Sequence, residues 1–415
     1  MLLGKDIPFI AKKMNFFEKL IDWDTVKSFH FLYELVLIWF FVKIAGHLSK
    51  KIGQPSVMGE LLAGVILGPA MLGWLHPTPL IKELAEIGVI LLMFLAGLET
   101  DIKEFMKSAF ASTSVAICGI ILPFIGGWVS GLWFGFDMPT SIFIGTLLVA
   151  TSVSISVQTL RELGKLQSKE GVTILGAAVL DDILGIIILS LVIGFTAGSG
   201  GSAASDLIFL FVKIILFFIL VYLVGKKILP WVFRNIAHLM TTEVVLTFGL
   251  ITALGFAFLA EMMGLAGIVG SYFAGLMLSL TPQREELFEK VETVSFSFFV
   301  PIFFASIGLI ANIEEVNMTV LIHIVTLTIV AVFTKLIGGA IGAKIAKFNN
   351  RSSMGIGAGM IARGEVGLIV ASIGLSKGLI NNELFTATIV IVLVTTLVTP
   401  PLLKIFFTEK KSFSR

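Results

Sequence analysis

Between residues 30 and 406 the chain is a succession of apolar windows joined by short polar connections, and any fold it adopts has to satisfy them. A helix of about 20 apolar residues crosses a hydrocarbon layer of about 30 Å. The windows lie near 30–48, 56–75, 82–98, 108–134, 138–160, 170–196, 206–228, 240–260, 263–280, 292–312, 316–343, 352–376 and 383–406. With 56% hydrophobic and 14% charged residues and a mean hydropathy of +1.00, the chain cannot cover itself with polar groups in water. Its 41 Gly and 36 Phe fit spanning helices packed through small residues. The expectation is an all-α polytopic membrane protein of about thirteen transmembrane helices.

The remaining charges are unevenly placed. Lys50, Lys51, Lys103, Lys107, Arg161, Lys165, Lys169, Lys226, Lys227, Arg234, Arg284, Lys290, Lys344, Lys347, Arg351, Lys404, Lys410, Lys411 and Arg415 fall on one side of the predicted spans, and only Lys82 and Lys377 on the other. By the positive-inside rule the richer side is cytoplasmic, which puts the C-terminus in the cytoplasm and, with an odd span count, the N-terminus outside. The five Lys of residues 1–29 are discordant, and the interspersed acids there account for tolerated translocation. That segment lacks an apolar core and a cleavage site, so it reads as an extension forming an interfacial amphipathic helix rather than a signal peptide. A net charge of +2 implies no nucleic-acid partner. The single Cys118, set in an apolar run, excludes a disulfide framework and a cysteine-rich metal site.

An internal repeat underlies the spans. At a separation of 211 residues, Gly59, Ala63, Gly64 and Leu67 match Gly270, Ala274, Gly275 and Leu278, and Gly97 and Leu98 match Gly308 and Leu309. The shift moves each span seven places along, an odd number, so the copies are inverted in the bilayer, the architecture of many secondary transporters. The same separation pairs Thr151 with Ala362, Ser152 with Arg363 and Ser154 with Glu365. Both places interrupt a span: one by Thr151-Ser152-Val153-Ser154-Ile155-Ser156, the other by Gly355, Gly357, Gly359 and Arg363-Gly364-Glu365. Unwound backbone at membrane depth is tolerated only where it lines protein or a wet cavity, which directs attention to these two segments.

An ionisable side chain in mid-bilayer costs roughly 2.5–3.5 kcal/mol, so each needs a reason. Asp181 and Asp182 occupy the middle of the 170–196 window, Lys335 lies equally deep in 316–343, and Arg363 and Glu365 sit in the second interruption. Neighbouring helical residues point about 100° apart, so the two acids cannot face one partner. Asp181 is expected to pair with Lys335, and Asp182 to look into a cavity and bind a cation or a proton. A carboxylate suits Na+, and the oxygens around Thr151 and Ser152 can complete its shell. Protons and cations competing for one site produce exchange. Under the plainer alternatives Asp181 and Lys335 form a structural ion pair, and Arg363 and Glu365 neutralise each other or serve helix ends. Lys43 and Lys213 read as snorkelling residues, and His30, His47, His76, His238 and His323 as packing or interface residues.

With these residues in place the sequence resembles a known family: the cation/proton antiporters of the second monovalent-cation branch, most closely the bacterial NapA-type Na+/H+ antiporters. The resemblance covers about residues 30–406 and rests on Gly53-Gln-Pro-Ser-Val-Met-Gly-Glu-Leu-Leu-Ala-Gly64, Leu95-Ala-Gly-Leu-Glu99, Ala150-Thr-Ser-Val153, Leu180-Asp-Asp-Ile183, Thr334-Lys-Leu-Ile-Gly338 and Ala362-Arg-Gly-Glu-Val-Gly-Leu-Ile-Val370. It implies a homodimer in the cell inner membrane whose subunits move a core domain like an elevator against a dimerisation domain. The implied division is an extension at 1–29, dimerisation parts at 30–98 and 240–312, core parts at 105–196 and 316–406 with two discontinuous crossing helices, a linker helix at 206–228 and a cytoplasmic tail at 407–415. Asp182 would match the family's ion-binding aspartate, Asp181 the partner of Lys335, Thr151 and Ser152 the unwound crossover, and Glu365 an acid of the other broken helix. The implied activity is electrogenic exchange of Na+ or Li+ for H+ without a cofactor or enzymatic chemistry.

Three rivals stand beside that reading. The first is that the chain is a K+/H+ antiporter or K+ efflux protein of the same family; the lack of the cytoplasmic nucleotide-binding domain expected of potassium-efflux relatives weakens it without eliminating K+ as a substrate. A cation channel would conduct regardless of an opposing proton gradient. An intramembrane aspartyl protease needs its two acids on different spans, whereas Asp181 and Asp182 are adjacent.

Overall fold

The computed structural model describes residues 29–196, 202–235, 241–310 and 318–408. The N-terminal extension before Phe29, with its expected interfacial helix, and the tail from residue 409 lie outside the described residues. Among those described there is helix and no strand. The helices are α1 His30–Lys51, α2 Ser56–Leu67, α3 Pro79–Glu99, α4 Ile102–Trp133, α5 Met138–Val149, α6 Val153–Glu162, α7 Lys169–Thr196, α8 Ser202–Leu223, α9 Leu229–Asn235, α10 Val244–Met262, α11 Gly267–Leu278, α12 Arg284–Val294, α13 Val300–Leu309, α14 Met318–Ile345, α15 Asn350–Gly359, α16 Glu365–Ser376 and α17 Asn382–Phe407. One π-helical turn, Val224–Ile228, joins α8 to α9, and another, Ser295–Phe299, joins α12 to α13.

Each expected window holds helix, but not always a full crossing. Among the described residues nine helices are long and apolar enough to span a bilayer. Windows 56–75 and 263–280 contain helices of 12 residues each, about 18 Å long. The first stops at Gly68-Pro69, since a proline ring clashes with continued helix at the residue before it.

The helices pack in two sets. α1, α2, α3, α10, α11 and α13 contact one another, while α4, α5, α7, α14, α15, α16 and α17 form the second set. The short helix α6 touches both, resting on α17 and α7 of the second set and on α3 and α2 of the first.

The repeat reappears in the first set as matched close contacts. A Cβ on Gly59 would strike the carbonyl of Ala45, and one on Gly270 the carbonyl of Phe256, 211 residues on from Ala45. Gly64 lies against the Ala305 carbonyl and Gly275 against that of Phe94, the same relation read from the other copy. Helix backbones approach this closely only where no side chain intervenes.

In the second set the register differs by one. Asp137 caps α5 by accepting from the Thr140 N–H (3.2 Å), and Asn349 caps α15 by accepting from the Ser352 N–H (2.8 Å). Both pairs are 212 residues apart, as are the starts of α6 at Val153 and α16 at Glu365. Thr151 therefore corresponds to Arg363 and Ser152 to Gly364, in place of the pairings expected from a constant shift of 211. A single extra residue between the sets is absorbed in a connection, where insertions cost little.

Candidate ion-binding site

Both interrupted spans break where the sequence indicates. α5 ends at Val149 and α6 begins at Val153; α15 ends at Gly359 and α16 begins at Glu365. The two breaks meet. The Ser152 N–H donates to the Ala362 carbonyl (2.7 Å), and Ser156 Oγ donates to the Gly359 carbonyl (2.6 Å). Gly364 lies so close to the Ser152 side chain that a Cβ there would sit 2.6 Å from Ser152 Oγ. Backbone groups freed by unwinding are thus partly satisfied across the crossover, as burial requires.

Ending a helix in mid-membrane leaves carbonyls without intrahelical partners and a partial negative charge at that end. Two buried cations converge on the end of α5. Lys335 of α14 is 0% exposed; its Nζ donates to the Val149 carbonyl (2.9 Å), the Gly119 carbonyl of α4 (2.8 Å) and Asp181 Oδ1 of α7 (2.9 Å). These use all three protons of an ammonium. Arg363, 2% exposed, donates to the carbonyls of Leu148 (2.6 Å) and Ile361 (3.1 Å), the second belonging to its own break. Its carbonyl accepts from Thr396 Oγ1 of α17 (2.5 Å).

Asp181 (1% exposed) and Asp182 (6% exposed) sit side by side on α7 with different surroundings. Asp181 spends one oxygen on Lys335, while its Oδ2 is buried without a hydrogen-bond partner among the described residues. Both acids, Thr151, Thr146, Gly185 and Val366 line a cavity of about 20 Å³, room for about one water-sized particle. Carboxylate and hydroxyl oxygens around so small a space are donors suited to a hard monovalent cation or to a proton.

Of the residues singled out from the sequence, Asp181, Asp182, Lys335, Thr151 and Arg363 gather around the end of α5. Ser152 is adjacent but turned to the crossover, its Oγ 3.0 Å from Ser154 Oγ. Glu365 opens α16, and its side chain lies outside the described residues. Lys43 donates to the Phe296 carbonyl (3.0 Å) in the second π-helical turn, and His323 packs against the Phe134 ring, 4.4 Å between centroids. Sequence reasoning missed Gly119, Leu148, Val149 and Thr396, and named Ser156 only as part of the first interruption. All of these act through, or upon, backbone carbonyls; the break was the available signal for Leu148 and Val149, because it creates orphan carbonyls that something must satisfy, and Pro123, which has no N–H to offer the Gly119 carbonyl four residues back in α4, was the signal for Gly119.

A second, larger cavity of about 490 Å³ runs between α3 and α13 on one side and α16 and α17 on the other. Lys82 and Glu86 lie on its wall, and it reaches Gly364 at the crossover.

The family model described as "Sodium/hydrogen exchanger, transmembrane" matches residues 36–409. The chain belongs to this family. The family consists of cation/proton antiporters, transporters rather than enzymes. Among its similar relatives are the Na(+)/H(+)-K(+) antiporter GerN of Bacillus cereus, 45% identical over 92% of this chain and 98% of the relative, and the Na(+)/H(+) antiporter of Enterococcus hirae, 41% identical over 91% and 97%. The solved sodium proton antiporter MjNhaP1 of Methanocaldococcus jannaschii shares the fold, with a TM-score of 0.59, 15% identity and coverage of 90% of this chain and 95% of that one.

Proposed function

We propose that this member of the family exchanges Na+ or Li+ for H+ by alternating access, with cation and proton competing for Asp182. Asp181 neutralises Lys335, and Thr151 supplies oxygen beside the bound ion. The single observation that carries the reading is the pairing of roles around one small cavity: both acids line it with Thr151, and Asp181 is held there by Lys335 at 2.9 Å. An ionisable group in mid-bilayer costs roughly 2.5–3.5 kcal/mol, and two neighbouring acids beside an oxygen-lined cavity are what exchange of a cation for a proton would use. Net transport is electrogenic in this reading. The first helix set is the dimerisation domain of a homodimer, the second the moving core, and the C-terminus lies in the cytoplasm of an inner-membrane protein.

A second reading, K+ in place of Na+, is favoured by one observation: the Bacillus cereus relative is named for K+ as well as Na+. Proteoliposomes carrying an acid interior and a pH dye separate the two, with Na+, Li+ and K+ added in turn. Na+ or Li+ should dissipate the gradient for the native chain and fail to do so for Asp182→Asn. Normal exchange by Asp182→Asn would remove the site assignment, and dissipation by K+ alone would replace the substrate.

A further inference from the structure

The inverted repeats place α2 and α11 in equivalent positions, yet their N-termini are held by different parts of the molecule. Glu261, at the end of α10 in the same helix set, accepts from the Gly267 N–H (2.7 Å). At the equivalent place on the other repeat, 211 residues earlier, the Ser56 N–H donates to Glu162 Oε2 (2.7 Å), and Ser56 Oγ makes a short hydrogen bond to Glu162 Oε1. Glu162 belongs to α6, the second half of the first broken helix. One short helix is capped from within its own bundle, the other by the bundle it packs against.

The next residue back strengthens that junction. Arg161 reaches Glu292 of α12 (2.8 Å) and Glu99 at the end of α3 (3.5 Å), and its guanidinium stacks over Phe288 and Phe296 at 5.1 and 4.8 Å. Two consecutive side chains thus fasten the end of α6 to α2, α3 and α12. The large cavity lies toward the other end of α3: Lys82 and Glu86 line it, and Glu99 is some 13–17 residues along, about 20–25 Å away. The molecule is fastened at one face and parted at the other, and α6, about 15 Å long, is a rod from the fastening to Ser152 at the crossover.

We propose that Arg161 and Glu162 form a latch that closes the face bearing Lys50, Lys51, Lys103 and Lys107, and that it must release for the ion site to open there. The inference rests on the alternating-access reading above. In releasing, Glu162 gives up the Ser56 N–H and Arg161 gives up Glu99 and Glu292, all of which regain water at that face. Because α6 is short and helical, its two ends move together, which couples the latch to the crossover.

The test holds the latch shut. In a Cys118→Ser background, Ser56→Cys with Glu162→Cys is joined by a short, reducible bis-thiol reagent and reconstituted in proteoliposomes. The uncoupled double variant should exchange; the cross-linked form should lose exchange and regain it on reduction. Full exchange by the cross-linked protein would overturn the latch, whereas absence of exchange by the native chain would instead overturn the antiport reading. If the double variant does not fold, Arg161→Ala supplies the second measurement: a thiol placed at Val57 should become more reactive toward an impermeant maleimide added at that face. Unchanged reactivity at Val57 would also overturn the proposal.

Discussion

The two broken helices have the same backbone plan and opposite electrical character. α5 and α15 are capped alike by Asp137 and Asn349, and each is followed by a short gap and a second half-helix. Yet where the first gap carries Thr151 the second carries Arg363, and where α7 beside the first carries Asp181 and Asp182, the stretch of α17 at the same separation of 212 reads Leu393-Val394. Repetition of the helical plan supplies the geometry twice; the differing side chains make one copy anionic and let the other contribute the balancing cation. Arg363 bridges them, serving the Ile361 carbonyl of its own break and the Leu148 carbonyl of the other.

The largest effect should come from removing the cation that holds the acidic half. Lys335→Ala leaves Asp181 buried and unpaired, and a loss of about 3–5 kcal/mol is expected, read as a fall in thermal unfolding temperature in detergent. Adding Asp181→Ala to that variant should recover much of the loss; no recovery would mean that Lys335 acts chiefly on the Gly119 and Val149 carbonyls. Arg363→Gln comes next, at about 1–3 kcal/mol, because two helix-end carbonyls lose a charged donor. Equal stability of Arg363→Gln and the native chain would erase the proposed division of roles between the breaks.

Effects of the same size or smaller sharpen the symmetry itself. Gly64→Ala and Gly275→Ala each push a methyl into a facing carbonyl and should cost about 1–3 kcal/mol by the same thermal assay. Similar losses for the two are expected, since their contacts are copies. Smallest are the caps: Asp137→Ala and Asn349→Ala should each lose about 1 kcal/mol. A markedly larger loss for one member of either pair would show that the repeats have diverged in energetics as well as in charge.

Much of this was legible in the residues. Hydropathy located the helical segments, the glycine and alanine matches revealed the repeat, and Thr151-Ser152 and Arg363-Gly364 marked both breaks. The register of the second set was not legible, because glycine matches fixed the shift only in the first, and one residue was gained in a connection before the caps at Asp137 and Asn349. Nor was the orientation of Ser152, which the approach of Gly364 decides. Arg161 enters the sequence reading only as one of the basic residues at span ends, and Glu162 not at all; only folding brings Ser56, Glu99 and Glu292 to them.

What the sequence determined by itself was the solvent and the exceptions to it: a chain this apolar must place its helices in lipid, and the few ionisable groups left there must find one another. Tertiary structure alone decided which carbonyls, acids and cations meet. Those partners lie up to 216 residues apart along the chain, and most of the backbone oxygens that attract Lys335 and Arg363 are freed only once two helices have been cut short and laid across each other, the Gly119 carbonyl being freed instead by Pro123 within α4.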